Sequence, residues 1–150
     1  MLALLLLFGF APLEQDQIRS GPPSPPLDQR AAVQWRLSSA PAWREFRARW
    51  GRDWAVRWDE RNGTPRFLWA PGPPSGRADA LVADVAKLAG VDPAELSLAS
   101  RSRRGERSIL RYERRWHGAP VVGDQVALVV HDGRVAGVWV QLTPIRLLQE

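Results

Sequence analysis

The chain contains no cysteine. Disulfides, thiolate metal sites and cysteine nucleophiles are therefore excluded, and a domain this small must hold itself together by core burial alone. Histidine is nearly as scarce. His117 and His131 are the only two, no His-Glu-x-x-His pair occurs, and a catalytic zinc normally takes three protein ligands. There is no Gly-x-Ser-x-Gly elbow and no Gly-rich phosphate loop. The adjacent carboxylates Asp59 and Glu60 stand beside a turn, where solvated polar residues are expected. These absences predict a protein without catalytic, cofactor-binding or metal-binding residues, that is, not an enzyme. Lys87 is the only lysine, so the net charge of +5 comes almost entirely from arginine. Acidic residues are interspersed along the chain and no uniform basic stripe forms, so nucleic acid is not an expected partner. No apolar run reaches the ~20 residues that a membrane-spanning helix needs.

Tryptophan is abundant, with eight copies in 150 residues. Each ring can bury roughly 150–250 Å². At about 25 cal/mol per Å² these rings can build a modest core. Tryptophan is also enriched at interfaces, so some of the eight are candidates to face a partner.

Residues 1–19 carry an apolar run from Leu2 to about Leu13, the length of a signal-peptide core, although the usual positive leader is missing. The competing reading is an apolar core segment; the lack of polar periodicity favours export. Residues 20–34 hold the proline-dense "SGPPSPPLDQR" and are expected to form a linker in extended conformation. Residues 35–75 read as a Trp-rich subdomain. In "SSAPAWREFRARWG", Ser39 is the expected cap, Pro41 suits the first helical turn and Gly51 the stop. Trp43, Phe46 and Trp50 then share one helix face, which suits docking on a core better than lying on a membrane surface. "WAVRWDERNGTPRFLW" alternates with a period of two around Asn62-Gly63 and predicts a β-hairpin. "APGPPSG" marks a boundary near residues 70–76.

Residues 76–142 begin with "RADALVADVAKLAG", a helix with Leu81, Val85 and Leu88 on one face and Gly90 at its end. Asp92, Pro93 and Glu95 form a second start signal of the capping-box type. Strands follow. "LSLASRS" is a short candidate, and "RSRRGER" is a charged loop around Gly105. "SILRYERRW" places Leu110, Tyr112 and Trp116 on one face. "VVGDQVALVVH" aligns Val122, Val126, Leu128 and Val130. After an Asp132-Gly133 turn, "RVAGVWVQL" aligns Ala136, Val138, Val140 and Leu142. Residues 143–150 form a tail. The expected fold class is α+β, a helix packed on an antiparallel β-meander, with the Trp-rich short helix and hairpin upstream.

One stretch, "RRWHGAPVVGDQV", concentrates the candidate binding residues. Trp116 falls on the apolar face of its strand, and His117-Gly118-Ala119-Pro120 connects to the next. Gly118 permits an unusual backbone angle and Pro120 ends the turn without needing a donor. Arg114 shares the nominal face of Tyr112 and Trp116, a poor place for a charge in a core. It is therefore expected at the sheet margin or at a contact surface. Arg114, Trp116, His117, Gly118 and Pro120 are the candidate partner-binding residues.

"DALVADVAKLAGVDPAELSL" followed by "RYERRWHGAPVVGDQVALVVHDGRVAGV" resembles the FTP domain, the N-terminal propeptide module of fungalysin- and thermolysin-type zinc metalloproteases. The matching positions are Leu96, Tyr112, Gly118, Pro120, Val121, Gly123, Val126, Asp132 and Gly133. Upstream, "WAVRWDERNGTPRFLWAPG" is similar to a hairpin of some of these propeptides, so the likeness covers about residues 52–142. The sequence differs where the family usually has glutamine, at Arg114, and asparagine or arginine, at His117. The resemblance implies a propeptide/cystatin-like module, secreted or held in the periplasm or cell envelope. Its implied partner is a zinc metalloprotease domain, in trans or in a longer precursor, which it would bind, inhibit or help to fold. The alternative expectation is a stand-alone cell-envelope domain that binds a protein or ligand through an aromatic surface or a free sheet edge.

Overall fold

A computed structural model describes residues 23–144. The export-like segment at residues 1–19 and the end of the tail at 145–150 lie outside the described residues. The chain folds as α+β. Among the described residues three α-helices, α1 (Leu27–Ser38), α2 (Pro41–Trp50) and α3 (Ala78–Leu88), accompany six strands: β1 (Ala55–Trp58), β2 (Pro65–Trp69), β3 (Leu96–Arg104), β4 (Arg107–Trp116), β5 (Ala119–His131) and β6 (Arg134–Gln141). The strands form one antiparallel sheet in the order β1-β2-β6-β5-β4-β3. The last four strands are the expected meander. The upstream hairpin joins the same sheet through Phe67, Leu68 and Trp69, paired with Trp139, Val138 and Gly137. The sheet thus runs through the boundary expected near residues 70–76, and the two segments share one core.

Period-two patterning puts Leu68, Leu110, Val126, Leu128, Val138 and Val140 on the inner face. There they meet Leu81, Val82, Val85 and Ala86 of α3, whose 3.6-residue period turns the same stripe inward. α2 extends this layer. Trp43 stacks on Phe46 at 5.3 Å, Trp58 meets Trp43 edge-on at 5.9 Å, and Trp54 meets Phe46 edge-on at 5.7 Å. Buried indoles need acceptors. Trp58 Nε1 donates to Ser38 Oγ at 3.0 Å and Trp54 Nε1 to the Trp50 carbonyl at 3.2 Å. Asp84 ties α2 to α3 by accepting from Trp50 Nε1 and pairing with Arg49, each at 2.9 Å.

Several local expectations are corrected. The linker expected over 20–34 gives way to α1 at Leu27: Pro26 is the last proline of the run, and none interrupts the helix that follows. Ser39 does not cap α2. Its hydroxyl donates to the Trp35 carbonyl at the end of α1, and Ala40 occupies the cap position. The charged "RSRRGER" is mostly strand, because β3 and β4 pair up to Arg104–Arg107 and only Gly105-Glu106 turn. Ala136 is exposed because the β5–β6 register slips by a residue, and Val135 takes the core position. Val122 is 97% exposed for the same kind of reason. Glu113 pairs with Gln125 but Arg115 with Pro120, so Val121–Asp124 bulge opposite the single residue Arg114. Gly123, at φ 85°, allows the bend.

Candidate interaction site

β4 carries Arg114 into the core rather than to the surface. Its side chain has no exposure. The expectation that it lies at a margin or contact surface is corrected, and so is its candidacy for direct partner contact. Nε donates to Glu95 Oε2 at 2.6 Å, and Nη1 donates to Asp124 Oδ2 at 2.9 Å and to the Thr143 carbonyl. Two carboxylates and a carbonyl thus satisfy Nε and Nη1 and supply the counter-charge that a buried guanidinium needs. Asp124 also accepts from the Thr143 backbone N–H at 3.0 Å and from its hydroxyl at 2.8 Å. The pair therefore grips both backbone groups of Thr143, just past the end of β6. Nη2 is buried without a protein partner among the described residues.

Glu95 reaches Arg114 because the Asp92–Pro93 start forms as expected. Asp92 accepts from Ala94 N–H at 2.9 Å and a single 3₁₀ turn follows. The capping box itself is not completed, since the Glu95 carboxylate is committed to Arg114. The β5 bulge sets Asp124 opposite. One signal for this clasp is present in the sequence: Asp124 falls in phase with Val126 and Leu128, and Arg114 with Tyr112 and Leu110. Opposite charges in phase on neighbouring core faces point to a buried pair.

The other candidates form an exposed hairpin tip. His117 and Gly118, at φ 49° and 81°, make a tight two-residue turn of the hairpin type. Ala119 and Pro120 already pair with Trp116 and Arg115, so the turn is shorter than the four-residue connection expected. Trp116 is half-buried and packs against the His117 ring at 4.5 Å. Trp116, His117, Gly118 and Pro120 therefore stay together at one end of the sheet, while Arg114 lies beneath.

The sheet face turned away from the helices holds a feature not singled out from the sequence. Phe67 stacks with Trp69 at 5.3 Å and meets Trp139 at 4.6 Å. Trp69 and Trp139 are 43% and 56% exposed, so this cluster lies in solvent, apart from the Trp43, Trp54 and Trp58 core. Strand alternation already encodes it, since Trp69 and Trp139 are out of phase with Leu68 and Val138. Elsewhere the β3–β4 and β5–β6 tips bring Glu106, His131 and Asp132 together, with ligand atoms within 4.8 Å of one another. All three are exposed, and sequence spacing places only His131 and Asp132 side by side.

Against family models, characterised proteins and solved structures, the chain gives no match. Inside the core, Tyr112 donates its hydroxyl to Asp79 of α3. Burial, and then the Asp79 carboxylate, push the phenol well above its ordinary range. It is a neutral donor that pins α3 to β4. Beside it, Asp79, Val82, Ala83, Pro93, Leu96, Leu98 and Tyr112 line a pocket of about 320 Å³ between α3 and β3.

Proposed function

We propose that this chain is a non-catalytic, propeptide-like binding module that acts on a thermolysin- or fungalysin-type zinc metalloprotease, by restraining it or by assisting its folding. The observation that supports the reading is α3 sharing a core with the β3–β6 meander, with turns at His117-Gly118 and Asp132-Gly133. A helix packed on an antiparallel meander is the propeptide/cystatin-like arrangement that the resemblance implies. A secreted or cell-envelope location belongs to the same reading. No helix among the described residues is long and apolar enough to cross a membrane.

The experiment mixes the purified chain with thermolysin-type and fungalysin-type proteases, following peptide turnover and the refolding yield of the denatured protease. Slower turnover or a higher yield supports the reading; no effect on either with both protease types sinks it.

A second reading, a stand-alone cell-envelope binding domain, is favoured by the solvent-facing Phe67–Trp69–Trp139 cluster. Its test is a tryptophan-fluorescence titration with isolated envelope fragments. A saturable change that disappears in Trp139→Ala supports it, and an unchanged spectrum removes it.

A further inference from the structure

The two edges of the sheet are treated differently. β1 is short, and α1 caps its last residue: Gln34 Nε2 donates to the Trp58 carbonyl at 2.9 Å, and Gln34 Oε1 accepts the Trp58 N–H at 3.1 Å. One side-chain amide thus completes both outward groups of Trp58 as a neighbouring strand would. β3, the opposite edge, runs for nine residues, and every residue from Ser97 to Arg104 is exposed. Among the described residues only β4 bonds to the backbone of Ser97–Arg104. An edge of this length holding unpaired N–H and C=O groups is a template for another strand.

We propose that β3 takes up an extended acidic peptide strand of a partner, whose one large apolar side chain enters the pocket between α3 and β3. The main-chain ladder supplies affinity and the pocket supplies selectivity. Charge picks the occupant. Arg101, Arg103 and Arg104 project from β3, and among the described residues no carboxylate lies within ion-pair distance of any of them. Arg104 pairs with Arg107, and these two and Arg111 carry the same sign on the sheet face opposite to Arg101 and Arg103, with Glu113 beside Ser97 as the acidic residue of that face. Two copies of β3 paired edge to edge would set arginine against arginine, which disfavours self-association and favours a strand bearing Asp or Glu. The pocket defines the rest. Val82 and Ala83 from α3 and Leu96 and Leu98 from β3 give it apolar walls, and Leu98 is 45% exposed, so the pocket is reachable from the edge. This inference does not depend on the partner being a protease. A chain that leaves proteases unaffected but binds the peptide at β3 retains it, and one that inhibits a protease without using β3 loses it.

The test titrates the full chain with a synthetic peptide of alternating Glu and Thr and one central Leu, read by amide NMR shifts and amide exchange. The expected result is saturable binding with slowed exchange over Ser97–Arg104. Methylating alternate backbone nitrogens of the peptide should weaken binding by about tenfold or more, since strand hydrogen bonds are lost while charge is kept. Arg101→Glu with Arg103→Glu should weaken it by a similar factor of about ten and flatten its salt dependence. Ala83→Trp, checked for folding by circular dichroism, should erase the preference for Leu over Ala in the peptide. Equal binding of the methylated peptide, perturbations centred on Trp69 and Trp139, protection of β3 by self-association without peptide, or no binding would each overturn the proposal.

Discussion

Gln34 of α1 and Trp58 of β1 are joined by two hydrogen bonds, the side-chain amide of one meeting both backbone groups of the other at 2.9 and 3.1 Å. The same amide also donates to Glu60 at 2.7 Å. Replacing Gln34 by Ala leaves a strand-edge N–H and C=O without their partner. The expected loss is about 1–2 kcal/mol in urea denaturation. Light scattering should also show association rising with concentration as the β1 edge opens. Gln34→Glu keeps an acceptor for the Trp58 N–H but loses the donor and faces Glu60, so it should recover only part of the stability, most at acidic pH.

Arg114 and Asp124 form a buried pair with Glu95 and Thr143 around them. Arg114→Met should cost about 3–5 kcal/mol, because Asp124 and Glu95 keep their burial and lose their counter-charge. Pairing it with Asp124→Asn should recover part of that loss, and the four-way cycle of denaturation free energies should show coupling of at least about 1 kcal/mol. Arg114→Lys should stay clearly destabilised, since a single ammonium does not span Glu95, Asp124 and the Thr143 carbonyl together.

Tyr112 is expected to contribute to the alkaline limb of stability. It is the only tyrosine, so tyrosinate absorbance reports this residue alone. Its phenol is raised in the fold by burial and by Asp79. Between the unfolded value, about 10, and the higher folded value, the unfolded chain has released a proton that the native chain keeps. The stabilisation is thus complete below about pH 10 and declines as pH rises beyond it. Denaturation midpoints should fall above that pH, with tyrosinate appearing only as the fold is lost. Tyr112→Phe should cost about 0.5–1.5 kcal/mol at neutral pH and flatten the alkaline decline.

The tryptophans divide into two classes with different costs. Trp54 is buried against Phe46, and Trp54→Ala should lose about 3–5 kcal/mol. Trp139 stands half-exposed on the open face beside Phe67, and Trp139→Thr should lose under about 1 kcal/mol. Midpoints from far-ultraviolet circular dichroism separate the two. An equal loss would mean that the outer cluster contributes to the fold as the inner one does.

The fold class was legible because the periods are strong. Leu81 and Val85 repeat at helical spacing, and Leu110, Tyr112, Val126, Leu128, Val138 and Val140 at strand spacing, and each reached the core. Parity failed at Val122 and Ala136. A bulge shifts side chains by one position, and its place depends on the partner strand, which alternation along one strand does not reveal. α1 was missed because prolines up to Pro26 dominate the composition just before it, and its sequence has no buried stripe. Its role, closing the β1 edge through Gln34, exists only once the strand is there.

The sequence by itself determined the α+β class, the positions of α2 and α3, and the Asp132-Gly133 turn, because these depend on contacts close along the chain. Tertiary structure decided the fate of Arg114, for which the sequence carried only the in-phase charge of Asp124. A charge on a core face is excluded or accepted according to what lies within about 3 Å of it, and Glu95, Asp124 and Thr143 reach it from three separate segments. The open β3 edge was decided in the same way. Whether a strand ends a sheet depends on the order in which all six strands pair.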